Sequence, residues 1–223
     1  MELEENKAIY EVHLKGTSQY LVNPEFLYFV IEKGPYKLFF YLLTLANIQG
    51  ESEVLFFQDV AIKDLKISRA TFFRWYSFLE ERGLLKKALK EEEVKKTGKP
   101  KWPLRKVVLD IRENVVFTIE NEEEEEENKY YLVSPEFLWI EVVRNSPYRL
   151  LFYFLDLQNK REKKELILYQ DEALEKFNVS LPTFYRWVQF LRDNNLVRQL
   201  NKFTYSLNLP YLLSLSTVPQ KKG

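Results

Sequence analysis

Cysteine is absent, His13 is the only histidine, and methionine occurs once. Thiolate chemistry, Cys/His zinc sites, serine–histidine triads and paired-histidine metal sites therefore lack their parts. Glycine is scarce too, at six residues in 223, and neither GxxxxGK[ST] nor GxGxxG occurs. A phosphate-cradling loop of the familiar kinds is missing, so ATP chemistry is not expected. No apolar run approaches the ~18 residues needed to span a bilayer. The start, MELEENKAIYEVHL, is acidic and polar where a leader would be basic and then apolar. The expectation is a cytoplasmic protein that is not an enzyme, with no membrane association, no cofactor and no bound metal. Glu91 to Glu93 and Asp110 are too scattered to nominate a divalent-metal nuclease, and His13, in a strand-like run, is expected to be structural or at the surface.

What is present is a folded composition. Hydrophobic residues make up 46% and aromatic residues 16%, and 33 Lys and Arg balance 33 Asp and Glu, which suits one or two globular domains and excludes disorder. A charged fraction rich in Glu and Lys, with no cysteine, also suits a thermophile. The most informative feature is a repeat. Tyr20–Leu27, YLVNPEFL, recurs 111 residues later as Tyr131–Leu138, YLVSPEFL, with seven of eight positions identical. After a one-residue insertion the match continues at a spacing of 112, with 20 identities in the 54 positions from Pro35 to Ala88. The chain is a duplicated unit of roughly 110 residues, each copy large enough for its own core. The expected domains are residues 1–113, with a long basic loop, and 114–223, with an acidic loop over 121–128.

Within each copy, IYEVHL or VVFTIE followed by YLV reads as an antiparallel pair, and a helix begins at the proline of PEF. A second helix begins at the PY step; KLFFYLLTLAN and RLLFYFLDLQN are apolar nearly all round, as a helix in the middle of its unit would be. A short strand and a helix of about two turns follow in LFFQDVAIKDLKI and LILYQDEALEKFNV. Ser68 and Ser180 then each precede a longer helix, placed to satisfy an orphan N–H of the first turn. Phe72, Trp75, Tyr76 and Leu79, or Phe184, Trp187, Val188 and Leu191, form one apolar stripe, which puts both tryptophans in the core. Arg69, Phe73, Arg74 and Ser77, or Tyr185, Arg186 and Gln189, lie on the opposite face. Past helix-stopping Gly83 and Asn195 come two β-like runs, joined by a long basic loop in the first copy and by Asn201-Lys202 in the second.

That order of elements is the winged helix-turn-helix order, and the fold class expected is α+β, mainly helical, with two tandem modules of this kind. The string S-x-x-T-F-x-R-W-x-x-F-L followed by Gly-Leu-Leu-Lys-Lys resembles the recognition helix and wing start of winged-helix regulators. Two such modules in one chain of this size resemble plasmid and phage replication initiators, and TYSLNLPYLL resembles the last wing strand of such proteins. The resemblance implies sequence-specific binding of double-stranded DNA at origin repeats, with replication proteins or a further copy of the chain as additional partners. It implies phosphate and base contacts for Ser68, Thr71 and Arg74 and for Ser180, Thr183 and Arg186. Leu181-Pro182 stands where the first copy has Arg69-Ala70, a departure from the first helix.

A major groove ~12 Å wide admits one helix, and an arginine can pair in bidentate fashion with guanine, which nominates Arg74 and Arg186. Phe73 and Tyr185 either contact a thymine methyl or sugar, or close an interface between the copies. From Lys86 to Arg112 there are ten Lys or Arg against four Asp or Glu, concentrated in KKTGKPKWPLRK. Lys95, Lys96, Lys99, Lys101, Arg105 and Lys106 there are candidates for neutralising phosphates, with Lys202 in the second copy. The six glutamates Glu122–Glu127 either form a solvated loop facing away from DNA or occupy the basic loop in the free protein; without them the formal charge rises from 0 to +6. Two modules acting like a dimer would protect roughly 20 base pairs. A transcriptional repressor of the same fold and a non-catalytic protein-interaction scaffold remain the alternatives.

Overall fold

The computed structural model describes residues 7–14, 17–87, 104–109, 116–120, 129–161 and 165–214. The fold is α+β, helices with small antiparallel sheets, and one order of elements occurs twice. In the first half β1 (Ile9–Leu14) and β2 (Thr17–Val22) precede α1 (Pro24–Val30), α2 (Pro35–Gln49), β3 (Glu53–Phe57), α3 (Gln58–Leu65), α4 (Arg69–Glu81), β4 (Leu85–Lys87) and β5 (Leu104–Leu109). In the second, β6 (Val116–Glu120) and β7 (Lys129–Val133) precede α5 (Pro135–Phe137), a π-helical turn (Leu138–Val142) and α6 (Pro147–Arg161). Then come β8 (Glu165–Ile167), α7 (Gln170–Phe177), α8 (Leu181–Asp193), β9 (Val197–Gln199), β10 (Thr204–Leu207) and α9 (Leu209–Ser214).

The central helices follow from their apolar sequence. Leu38, Phe39, Phe40, Leu42, Leu43 and Ala46 of α2 are buried, and in α6 every residue from Leu150 to Gln158 is. Such all-round burial leaves little amphipathic contrast, as expected for helices enclosed by their own unit. Gly50, at φ 70°, ends α2 in the left-handed conformation that glycine adopts at low cost. On α4 the buried stripe is Phe72, Trp75, Tyr76 and Leu79, and on α8 it is Phe184, Trp187, Val188 and Leu191, the residues the helical spacing selects. Both helices turn into the next strand through a left-handed residue, Gly83 at φ 68° and Asn195 at φ 58°.

Each copy carries a three-stranded antiparallel sheet, in the orders β3-β5-β4 and β8-β10-β9. Val54 pairs with Val107 and Leu85 with Leu109, while Leu166 pairs with Tyr205 and Leu207 with Val197. These residues are buried, so register is fixed by the hydrophobic face of each strand. Asn201 closes the β9–β10 turn, its Oδ1 accepting from the Phe203 and Thr204 amides at 3.0 and 2.9 Å.

The one-residue insertion in the second copy has a visible place. Ile31 N–H donates to Leu27 O at 3.0 Å in the first copy, an i→i−4 bond; the equivalent Val143 N–H donates to Leu138 O at 2.9 Å, an i→i−5 bond. The extra residue widens one helical turn into a π turn, and both partners of the bond are retained.

Compactness does not follow the repeat. One unit comprises Pro24–Leu132 and the other comprises Glu2–Asn23 together with Val133–Gly223. The boundary expected at residues 113 and 114 is thus not where the units divide. Hairpin β1–β2 belongs with the second half, while β6 and nearly all of β7 belong with the first. Each unit holds its borrowed hairpin with one asparagine. In the second unit Tyr20 N–H donates to Asn159 Oδ1 at 2.9 Å, and Asn159 Nδ2 donates back to Tyr20 O at 3.1 Å. In the first unit Tyr131 N–H donates to Asn47 Oδ1 at 2.8 Å, and Asn47 Nδ2 donates to Tyr131 O at 3.1 Å. A carboxamide presents an N–H donor and a C=O acceptor on one side, so it can satisfy both the N–H and the C=O of a single strand residue.

Asn47→Ala and Asn159→Ala each leave a partly buried N–H and C=O without their partner. Each is expected to cost about 1–3 kcal/mol, which urea unfolding should record as a lower midpoint for both variants.

Candidate functional site

The exposed faces of α4 and α8 carry most of the side chains nominated from sequence. At the start of α4, Ser68 caps the helix: its Oγ accepts from Thr71 N–H at 3.1 Å and lies 2.9 Å from Thr71 Oγ1. At the start of α8 the expected cap is missing. Ser180 Oγ makes no bond to the backbone of the first turn and instead lies 3.0 Å from Thr183 Oγ1. Pro182 removes one of the two N–H groups that a capping hydroxyl ordinarily reaches.

Arg69, Phe73, Arg74 and Ser77 are exposed on α4, as are Tyr185, Arg186 and Gln189 on α8. Arg74 is exposed and has no hydrogen bond or ion pair among the described residues. Arg186, at the same helical position, donates through Nη2 to Thr183 Oγ1 at 3.0 Å, a neutral acceptor, and has no carboxylate partner among the described residues. Gln189 is drawn along the helix, Nε2 to Asp193 Oδ1 at 2.6 Å. Arg74 and Arg186 thus come to equivalent places, while Gln189 is engaged within its own helix.

The sheet and the preceding helix add to this face. Arg105, on β5, places its guanidinium 5.3 Å from the Phe73 ring centroid and 5.4 Å from that of Tyr76, with Arg69 5.8 Å from the Phe73 ring. Two cations therefore share one aromatic ring, a cluster of the kind that presents positive charge beside an apolar surface. Gln58, wholly buried at the first position of α3, accepts from Arg105 Nε at 2.7 Å. Its counterpart Gln170 accepts from the Tyr185 hydroxyl at 2.9 Å. These two glutamines, which the sequence reading did not single out, each hold an outward side chain at this face: Gln58 that of Arg105 on β5, and Gln170 that of Tyr185 on α8. Their signal was present: Gln-Asp-x-Ala is identical at 58–61 and 170–173.

The remaining candidates are less concentrated. Lys106 forms an ion pair with Glu53 across the sheet; a pair this exposed is weak and exchangeable. Lys202 lies 5.0 Å from the Phe203 ring centroid. Lys95, Lys96, Lys99 and Lys101, like Trp102 and Glu122–Glu127, lie outside the described residues. The segment that carries the four lysines joins β4 to β5, whose Lys87 and Val107 pair. His13 is exposed, with Nδ1 3.2 Å from Ser18 Oγ. A further exposed set repeats between the copies: Leu55 and Phe57 on β3, then Ile167 on β8 and the adjoining Tyr169. Among the described residues no group of three His, Cys, Asp or Glu is placed to hold a metal ion, and no helix is long and apolar enough to cross a membrane. No protein-family model matches the chain, and no curated protein matches its sequence.

Burial pushes the Tyr76 hydroxyl up to about 12, helped by nearby Glu80 and opposed by Arg105. Tyr41 is raised further by burial and by its hydrogen bond to Asp64. The folded chain holds these protons more tightly than an unfolded chain, with its ordinary tyrosine value of 10.0. The stabilisation is therefore complete below pH 10 and lost as pH rises towards 12. Urea midpoints measured across that interval should fall, and Tyr76→Phe should make the fall shallower.

Proposed function

We propose that this chain binds double-stranded DNA sequence-specifically through two winged helix-turn-helix modules, and that it acts as an initiator of plasmid or phage replication. The observation that carries the reading is the pair Arg74 and Arg186. In each copy a guanidinium with no carboxylate partner among the described residues stands at one position of a helix whose opposite face is core, and a β-hairpin follows the helix. In this reading α4 and α8 enter major grooves, with the two arginines on guanine edges. Ser68, Thr71, Ser180 and Thr183 at the helix starts contact phosphates. Phe73, with Arg69 and Arg105 against its ring, lines the groove wall, and Tyr185 takes the same place in the second copy.

The lysines between β4 and β5 contribute the sequence-independent part of the affinity. A cation that neutralises a phosphate releases a counterion, whatever base stands beside it. The reading as an initiator, in place of a repressor with the same modules, draws on the two-module chain and the resemblance of its motifs; the location of the selected site, at origin repeats or in a promoter, separates the two. One observation favours a scaffold as a second reading: the apolar pairs Leu55 with Phe57 and Ile167 with Tyr169 are exposed at equivalent positions. A scaffold would show no salt-sensitive binding to duplex DNA.

Binding sites selected from random duplexes provide the test. Arg74→Ala should weaken binding to the selected site by about 1–3 kcal/mol and relax the base preference at one position. Replacing Lys95, Lys96, Lys99 and Lys101 with glutamine should weaken binding to every duplex alike and lower the slope of log K against log salt. Unchanged binding by Arg74→Ala would remove α4 from the interface.

A further inference from the structure

Both hairpins and both of the sites that receive them obey one recognition rule. Hairpin β1–β2 offers Tyr20-Leu21-Val22 and hairpin β6–β7 offers Tyr131-Leu132-Val133. The receiving asparagines, Asn159 and Asn47, stand at the same position of the same central helix and make the same two bonds to the tyrosine peptide groups. Each hairpin is thus accepted by the copy that does not encode it. Nothing in this bonding distinguishes a hairpin of the same chain from the equivalent hairpin of another molecule.

The connections favour such exchange. Only Asn23 separates the end of β2 from Pro24 at the start of α1, and Asn23 N–H donates to Ala8 O at 2.9 Å, which ties it to the hairpin. A residue before proline is disfavoured from the helical region, so the hairpin cannot run on into the helix without a break. Ser134-Pro135 repeats the arrangement after β7. Identical elements are traded between protein copies across short connections of this kind.

We propose that two copies of this chain join by exchanging hairpins: strands β1 and β2 of each molecule fill the site around Asn159 of the other. Every contact given up in the single chain is remade in the pair, so concentration decides between them. A hairpin tethered to its own site acts at an effective concentration on the order of millimolar, and dilute protein stays single. Departure of the hairpin exposes Ile9, Tyr10, Val12, Leu21 and Val22, all buried. Exchange is therefore slow at low temperature and quickens near the unfolding midpoint. The proposal is independent of DNA binding.

The experiment mixes two full-length preparations carrying different affinity tags at roughly millimolar concentration, warms them to just below the midpoint, cools and dilutes. Light scattering should find a species of twice the chain mass that carries both tags, keeps the native circular dichroism, survives dilution and is absent from an unwarmed mixture. With a photo-crosslinking phenylalanine analogue in place of Tyr20, irradiation of that species should join the first tagged molecule to α6 of the second. Recovery of single chains alone, after hydrogen exchange has recorded opening at Tyr20, would overturn the proposal. Two further results would do the same: two-chain species already present before warming and lost on dilution, or crosslinks confined to one molecule.

Discussion

A side chain that pairs with the backbone of a strand is the constraint on which the rest depends. In both units a carboxamide from the central helix pairs with the N–H and C=O of a tyrosine in a hairpin encoded by the other half. The hairpin is thereby tied to the helix, and β2 also pairs with β7 at Val22 and Val133, whereas a two-stranded ribbon by itself is marginal in water. The central helix in turn becomes the common support of the unit. One end of α2 or α6 receives the hairpin, while along its length it packs against the longer helix that carries the exposed arginine.

The two copies use this common frame differently at the outer face. In the first, Gln58 holds Arg105, whose guanidinium lies against Phe73 and Tyr76; in the second, Gln170 holds the Tyr185 hydroxyl directly. Two changes make the difference: Leu181 stands where the first copy has Arg69, and Tyr185, where the first copy has Phe73, brings a hydroxyl that the glutamine can accept from. The outcome is a cationic aromatic cluster on one copy and a neutral polar one on the other. Pro182 widens the difference at the helix start, where Ser68 caps and Ser180 does not. A duplicated sequence has thus kept its skeleton while its two exposed faces have acquired separate chemistry.

Much of this was legible in the residues. The apolar stripe of α4 and α8, the left-handed stops at Gly83 and Asn195, the tight turn at Asn201 and the enclosed central helices all follow from local spacing, where one copy corroborates the other. The one-residue insertion was legible as well, but its form as a π turn was not, because lengthening a loop would satisfy the sequence equally well. The exchange of hairpins was illegible for a deeper reason. Tyr20-Leu-Val and Tyr131-Leu-Val are the same key, and Asn47 and Asn159 the same lock, so the pattern fits either pairing. At the candidate site the arginines were readable from helical phase, whereas the repeated Gln-Asp-x-Ala marks Gln58 and Gln170 without saying what they hold, since their partners Arg105 and Tyr185 lie 47 and 15 residues on in different kinds of element.

Hairpin exchange also orders events during synthesis. Tyr20 leaves the ribosome 139 residues ahead of the asparagine that completes it. At bacterial and eukaryotic elongation rates that interval is roughly 7–28 s. For that time a nascent ribbon with buried-type faces at Ile9, Val12 and Leu21 has no seat. The second hairpin meets no such delay, because Asn47 is already made when Tyr131 emerges. One half of the molecule can therefore close while translation continues, and the other must wait for α6 to emerge.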